Sequence, residues 1–370
     1  LAALLFNLLQ PAEPRVTPQA QQRVVTRLPQ LCVHTRLIDE VWEWKIQRSL
    51  QLVREMGADT IVEFFPWAYI EGAPGVFDWQ QTDRIMRHAG NQGLQVIART
   101  GLVPAWARPD DAAAQPGTLN SLPRAAWDDF AGFVAALAQR YRGELRQLVI
   151  WNEPNLAFEW GFEAVSPEDY AALLQTVQQA VRAVNPEALL LAAGPAPSLE
   201  PEGSPHGMHD LRWLEALYAA GAADWSDGLA LHSYGFTDAA ATAPSPERLN
   251  FRRVEIYHEI MLRYTGPGQA LFLTETGWND DPRHEQAVSP AWRIRHTLDA
   301  LEYAGQHWPW LNKLCLWVLR YPAPAWNWRD GSTLVTPEFL TKPIYHAIQD
   351  MALGRGQGNE LWLAPPVAPA

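Results

Sequence analysis

Two glutamates sit among neighbours suited to acid–base chemistry. Glu153 lies in Trp151-Asn152-Glu153-Pro154-Asn155, directly after the apolar run Leu148-Val149-Ile150. Glu275 lies in Leu273-Thr274-Glu275-Thr276-Gly277-Trp278, after Leu271-Phe272-Leu273. A converging carboxyl pair can protonate a leaving oxygen with one member while the other attacks carbon or activates water, which is what cleavage of a glycosidic acetal requires. Their separation sets the outcome: roughly 5–5.5 Å permits a covalent intermediate, and about 6.5 Å or more leaves room for a water. Two carboxylates that close cannot both ionise freely, so one keeps its proton near neutrality. Taken singly, a glutamate after a strand is more often a helix-terminus neighbour or an arginine's partner; the pair is what points to chemistry.

Such a pair has to be positioned by the fold. Runs rich in β-branched residues or leucine read as strands over 31–36, 60–65, 94–99, 147–152, 188–193, 228–233, 270–275 and 314–319. Amphipathic stretches follow each, over 42–56, 79–92, 124–142, 168–184, 209–221, 246–264, 291–307 and 341–352. Asp78 and Gln81 have capping-box spacing, Ser166-Pro167 opens a helix, and Gly57 and Gly93 close two others. Repeated strand–helix units demand parallel crossovers, in either an open doubly wound sheet or a closed barrel. The open sheet usually carries a glycine-rich turn after its first strand, and the segment from His34 to Glu40 has no glycine. The expected fold is therefore a single (β/α)8 TIM barrel over 30–353, with an N-terminal tail or linker over 1–29 and a C-terminal tail over 354–370. Active groups of such barrels lie at the C-terminal strand ends. His34-Thr35-Arg36, Arg99, Asn152-Glu153, His232-Ser233-Tyr234 and Glu275 all fall there.

The Trp151–Asn155 stretch on the fourth strand, with Glu275 on the seventh, resembles the clan A glycoside hydrolases. Phe65-Pro66-Trp67, the segment Ile70-Glu71-Gly72 to Gly75-Val76-Phe77-Asp78-Trp79, His232-Ser233-Tyr234 and Trp317 extend the likeness over about 31–350. Family 39 (β-xylosidases, iduronidases and endo-acting relatives) resembles it most, with the cellulase-like family 5 next. The resemblance implies a retaining enzyme acting on an oligo- or polysaccharide, with Glu153 as general acid/base and Glu275 as nucleophile. It further implies that Asn152 bonds the sugar 2-hydroxyl, Tyr234 holds Glu275, Trp317 floors the subsite and His232 lines it. His34, Arg36, Trp67 and Trp278 complete the expected binding set. A barrel that binds carbohydrate without cleaving it, and a transglycosylase using the same site, are the alternatives.

Other groups are weighed against plainer roles. Of 18 tryptophans, Trp67, Trp106, Trp160, Trp278, Trp326 and Trp328 follow strands, where flat rings could stack on sugars. Trp42, Trp44, Trp127, Trp213, Trp292, Trp308 and Trp310 fall on helices or their ends and read as structural. Arg36, Arg99 and Arg320 end strands and read first as partners orienting Glu63, Glu153 or Glu275; recognition of an acidic sugar is the sharper alternative. Cys32 and Cys315, the two cysteines, fall on neighbouring barrel strands and read as core thiols, since ladder geometry seldom suits a bridge. His34, His206, His209, His232 and His284 show no metal-ligand spacing, so neither metal nor cofactor is expected. There is no Gly-x-Ser-x-Gly elbow.

A net charge of −12 leaves no electrostatic footprint for nucleic acid. Residues 1–9 are nearly all apolar but fall short of the ~20 needed to span a bilayer. They read as the end of a signal peptide or of a membrane tether lying upstream, or as a frayed terminus. An extracytoplasmic location, secreted or membrane-anchored, is the corresponding expectation.

Overall fold

The structure, a computed structural model, describes residues 23–109 and 118–355. The apolar segment 1–9 and most of both expected tails lie outside the described residues. Eight parallel strands close into a barrel: β1 (Leu31–His34), β2 (Thr60–Pro66), β3 (Gln95–Gly101), β4 (Gln147–Ile150), β5 (Leu189–Ala193), β6 (Gly228–His232), β7 (Ala270–Thr276) and β8 (Leu311–Leu316). Strands covered on both faces read as continuous apolar runs, and Cys32, Ile61, Leu148, Leu191, Leu229, Leu271 and Leu314 are fully buried accordingly. The outer ring comprises α1 (Glu43–Met56), α2 (Gln80–Gln92), α3 (Trp127–Arg140), α4 (Pro167–Val184), α5 (Asp210–Ala219), α6 (Arg253–Thr265), α7 (Pro290–His307) and α8 (Pro343–Leu353).

The terminal signals act largely as read. Gly57 and Gly93 close α1 and α2 in the left-handed region (φ 93° and 71°), where a Cβ would be strained. Ser166 Oγ accepts the Asp169 N–H at the start of α4, with Pro167 beside it. The capping box does not form: Gln81 instead donates to the Leu37 and Glu40 carbonyls, tying α2 to the loop after β1.

Three further expectations need correction. The helix expected over 246–264 starts only at Arg253, because Arg253 Nη1 captures the carbonyls of Ser245, Pro246 and Arg248 and holds them in a loop. β8 begins before 314, where polar Asn312 and Lys313 disguise it; Asn312 accepts the Leu271 N–H and Lys313 pairs with Asp59. Finally, Cys32 and Cys315 are not separate thiols. They are direct partners in the β1–β8 ladder, with Cα atoms 4.1 Å apart, and form a disulfide. The ladder register, invisible in the sequence, brings them face to face.

Candidate active site

The β6–β7 rim supplies the first pieces. Leu231 pairs with Leu273, but His232 pairs with Glu275, so one extra residue on β7 bulges the ladder and re-aims Glu275. Backbone pairing continues past both strands: Ser233 N donates to Glu275 O, Gly235 N to Gly277 O, and Trp317 N to Thr276 O. This sets Tyr234 and Trp317 on either side of Glu275. At Gly235 an added Cβ would lie 1.8 Å from the Trp278 ring, so only glycine lets the indole cover this backbone. Just past β4, Trp151 (φ 81°) and Glu153 (φ 39°) both adopt left-handed backbone. Non-glycine residues seldom do so, and such strain concentrates at working sites. The Trp317–Val318 peptide is cis.

Four groups surround the Glu275 carboxylate. Tyr234 Oη donates to Oε2 at 2.7 Å, and His232 Nδ1 lies 3.7 Å from the same oxygen. His34 Nε2 lies 3.5 Å and Arg99 Nη1 3.9 Å from Oε1. Glu153 Oε1 is 2.6 Å from His232 Nδ1. One oxygen of each glutamate and a His232 nitrogen all fall within 4.8 Å of one another. These three ligand atoms, from β6, β7 and the loop after β4, could also hold a cation, a grouping that histidine spacing did not foresee.

Burial alone would depress His232, but the charges of Glu275 and Glu153 outweigh it and hold its pKa above the ordinary value. Burial, then the charges of Arg99 and Arg36, push His34 well down, leaving a neutral ring. Its Nδ1 donates to the Thr35 carbonyl, so Nε2 carries the lone pair facing Glu275. Burial, reinforced by the Glu275 and Glu153 charges, raises Tyr234 far above the usual phenol, and it stays a donor.

These groups open onto a cleft of about 680 Å³. Arg36, Asn152, Tyr234, Trp278 and Trp317 line it with both glutamates, while His34 and His232 lie buried beneath. Trp317 stands edge-on to His34 with ring centres 4.5 Å apart. Trp67 is the exception among the expected binding residues. It is fully buried, donates to Glu71 and packs on Phe130 and Phe133, because the turn after β2 folds it inward. Trp278 shows the cleft only part of its ring; the remainder packs on Phe251, with Nε1 on the Asp238 carbonyl. Of the other rim tryptophans, Trp328 lines the cleft, Trp106 and Trp160 pack against the core, and Trp326 is exposed.

The arginines divide unexpectedly. Arg36 pairs with Asp39 and Arg320 with Glu40, while Glu63 is held by Thr35 and the Leu37 and Ile38 amides. Arg99 alone of the three approaches Glu275. Sequence reading missed Glu159, Phe158, Phe236 and Tyr321 in the cleft wall. Glu159 is a third carboxyl, held by the Asn120 and Asn152 amides and pushed up to about 7 by burial and then by the Glu153 charge. Its signal was an acidic residue in the loop after β4, with nothing in the spacing to show that the loop turns back.

A closed parallel barrel with two glutamates converging from β4 and β7 defines a clan A glycoside hydrolase. Residues 24–313 match the profile for Cellulase (glycosyl hydrolase family 5). That match spans most of the chain, which therefore belongs to glycosyl hydrolase family 5. Among solved structures, a family 39 glycoside hydrolase from the gut symbiont Bacteroides cellulosilyticus superposes with TM-score 0.68 at 19% identity, over 88% of this chain and 63% of its own. The chain thus spans less than two thirds of that enzyme. A family 5 subfamily 18 variant from Streptomyces cattleya, in complex with Manβ1-4GlcNAc, gives TM-score 0.64 at 17% identity, covering 92% and 83%. A Bacteroides uniformis β-glucuronidase gives 0.56 at 14%, covering 87% and 34%. No curated protein matches the sequence closely enough to count as a relative. Both families named by the sequence resemblance thus recur, family 5 by profile and family 39 by fold.

Proposed function

We propose that the chain is a retaining glycosidase that cleaves O-glycosidic bonds of an oligo- or polysaccharide by double displacement. The observation that carries this reading is the approach of a Glu153 oxygen to a Glu275 oxygen within 4.8 Å. That gap belongs with the roughly 5–5.5 Å of covalent catalysis, not the wider one that admits a water. Glu275, fixed by Tyr234, attacks the anomeric carbon while Glu153 gives its proton to the departing oxygen. Glu153 then takes a proton from water, whose oxygen displaces the Glu275 carboxylate from the sugar. Trp317 and Asn152 contact the sugar undergoing cleavage. Arg36 is occupied by Asp39 and Arg99 faces Glu275, so neither is offered to a uronate. The disulfide also supports an extracytoplasmic site, where such bonds persist.

Glu153→Ala and Glu275→Ala are expected to lose turnover of aryl glycosides while staying folded. Azide should restore each, giving glycosyl azides of opposite anomeric configuration. Full activity of Glu275→Ala would overturn the assignment. Product analysis separates hydrolysis from transfer to a sugar hydroxyl.

A further inference from the structure

Glu159 has no part in the double displacement, yet its hydrogen bonds form a chain with a definite direction. The Leu102 N–H donates to Asn120 Oδ1 at 3.2 Å, which fixes that amide with Nδ2 pointing onward. Asn120 Nδ2 donates to Glu159 Oε2 at 2.7 Å. Asn152 Nδ2 donates to Glu159 Oε1 at 3.0 Å. Asn152 Oδ1 is thereby left buried without a partner, on a residue that lines the cleft. The Glu159 backbone is anchored as well, its carbonyl accepting from Trp151 Nε1 at 2.8 Å. A backbone N–H, which can only donate, thus dictates the orientation of two side-chain amides through one carboxylate, which can only accept.

We propose that Glu159 is a positioning residue that sets the polarity of Asn152, so that this asparagine offers the sugar a hydrogen-bond acceptor. The inference rests on the glycosidase reading above and adds a substrate requirement. The group meeting Asn152 must donate, as a hydroxyl or an amide N–H does. An acceptor there favours the transition state, because a hydroxyl beside an oxocarbenium-like carbon is more acidic and donates more strongly than in the ground state.

The chain also specifies what reverses it. In Glu159→Gln the Asn120 amide stays fixed by Leu102, so it claims the glutamine oxygen. The glutamine NH2 then faces Asn152, whose oxygen must turn to meet it, and an N–H is left for the sugar. Protonation of Glu159 does the same. The charged groups around it are Glu153 and Glu275, which favour its proton, and Arg99, which opposes it; Asn120 and Asn152 are its neutral partners.

The test uses the aryl glycoside that the wild-type protein hydrolyses fastest. Glu159→Gln should lower kcat by roughly ten- to a hundred-fold above pH 8, with KM changed less than about three-fold. The wild-type to variant ratio of kcat should fall towards 1 as pH drops through about 7, in a single-proton step. In the double variant Asn120→Asp/Glu159→Gln, the new aspartate accepts from both Leu102 and the glutamine NH2. The glutamine oxygen then returns to Asn152, and at least ten-fold of the lost kcat should recover. A pH-independent ratio, or a double variant no better than Glu159→Gln, overturns the proposal. If instead Glu153→Ala and Glu275→Ala keep full activity, the glycosidase reading itself has failed.

Discussion

His232 Nδ1 lies 2.6 Å from Glu153 Oε1 and 3.7 Å from Glu275 Oε2, so one imidazole bridges the two carboxyls proposed as the catalytic pair. The ring is almost wholly buried, and Glu275 and Glu153 beside it favour its positive charge despite that burial. The ladder bulge that pairs His232 with Glu275 across β6 and β7 produces the contact.

Replacing His232 by asparagine removes that charge. Its folded pKa is raised above the ordinary value, so folding takes up a proton there. The stabilisation is therefore complete below the unfolded value and disappears as pH rises through the folded one. The Tm difference between wild type and His232→Asn should be largest near about pH 6 and shrink steadily at higher pH. Thermal unfolding at a series of pH values checks this; a difference that grows with pH would contradict it.

Tyr234 Oη donates to Glu275 Oε2, a neutral donor on a charged acceptor. Such bonds contribute about 1.5–3 kcal/mol. Tyr234→Phe keeps the ring and removes only the donor. It should lower kcat by roughly ten- to a hundred-fold and leave the far-ultraviolet spectrum unchanged, as steady-state kinetics and circular dichroism would show.

The barrel was legible because eight apolar runs alternate with amphipathic stretches, a pattern that survives without knowledge of contacts. Glu153, Glu275 and Tyr234 were legible because each stands at or just past the end of such a run, and Trp317 through the family resemblance. What escaped depends on chain paths between strands. Trp67 and Trp328 look alike in sequence, yet a turn buries one against Phe130 while the other reaches the cleft. Glu159 becomes part of the site only because its loop folds back on Asn152. The Cys32–Cys315 bond depends on a ladder register that neither run encodes by itself.

Arg253 is fully buried with Asp210, which also accepts from Tyr257. The guanidinium grips both Asp210 oxygens and three loop carbonyls, so α6 is tied to α5 and to the loop after β6. Arg253→Met leaves buried Asp210 short of two donors. Breaking a buried pair in this way costs about 3–5 kcal/mol. Urea unfolding should show a loss of that size, and a loss under about 1 kcal/mol would mean that the pair contributes little net stability.

Glu159 should also leave a mark on stability. Its folded pKa of about 7 exceeds the ordinary 4.5, so the folded protein holds this proton more tightly than the unfolded chain. The native state gains relative to the unfolded one at low pH and loses that advantage as pH rises from about 4.5 to about 7. Above that range the buried charge costs about 3 kcal/mol. Glu159→Gln has no proton to lose and should be the more stable protein at pH 8, with the two converging towards pH 4.5. Paired urea titrations at both pH values measure this directly; a variant less stable than wild type at pH 8 would show that the carboxylate's hydrogen bonds outweigh its burial. If the variant is more stable and slower at pH 8, the site holds an ionised carboxyl at the expense of stability, and the orientation of Asn152 is what it gains.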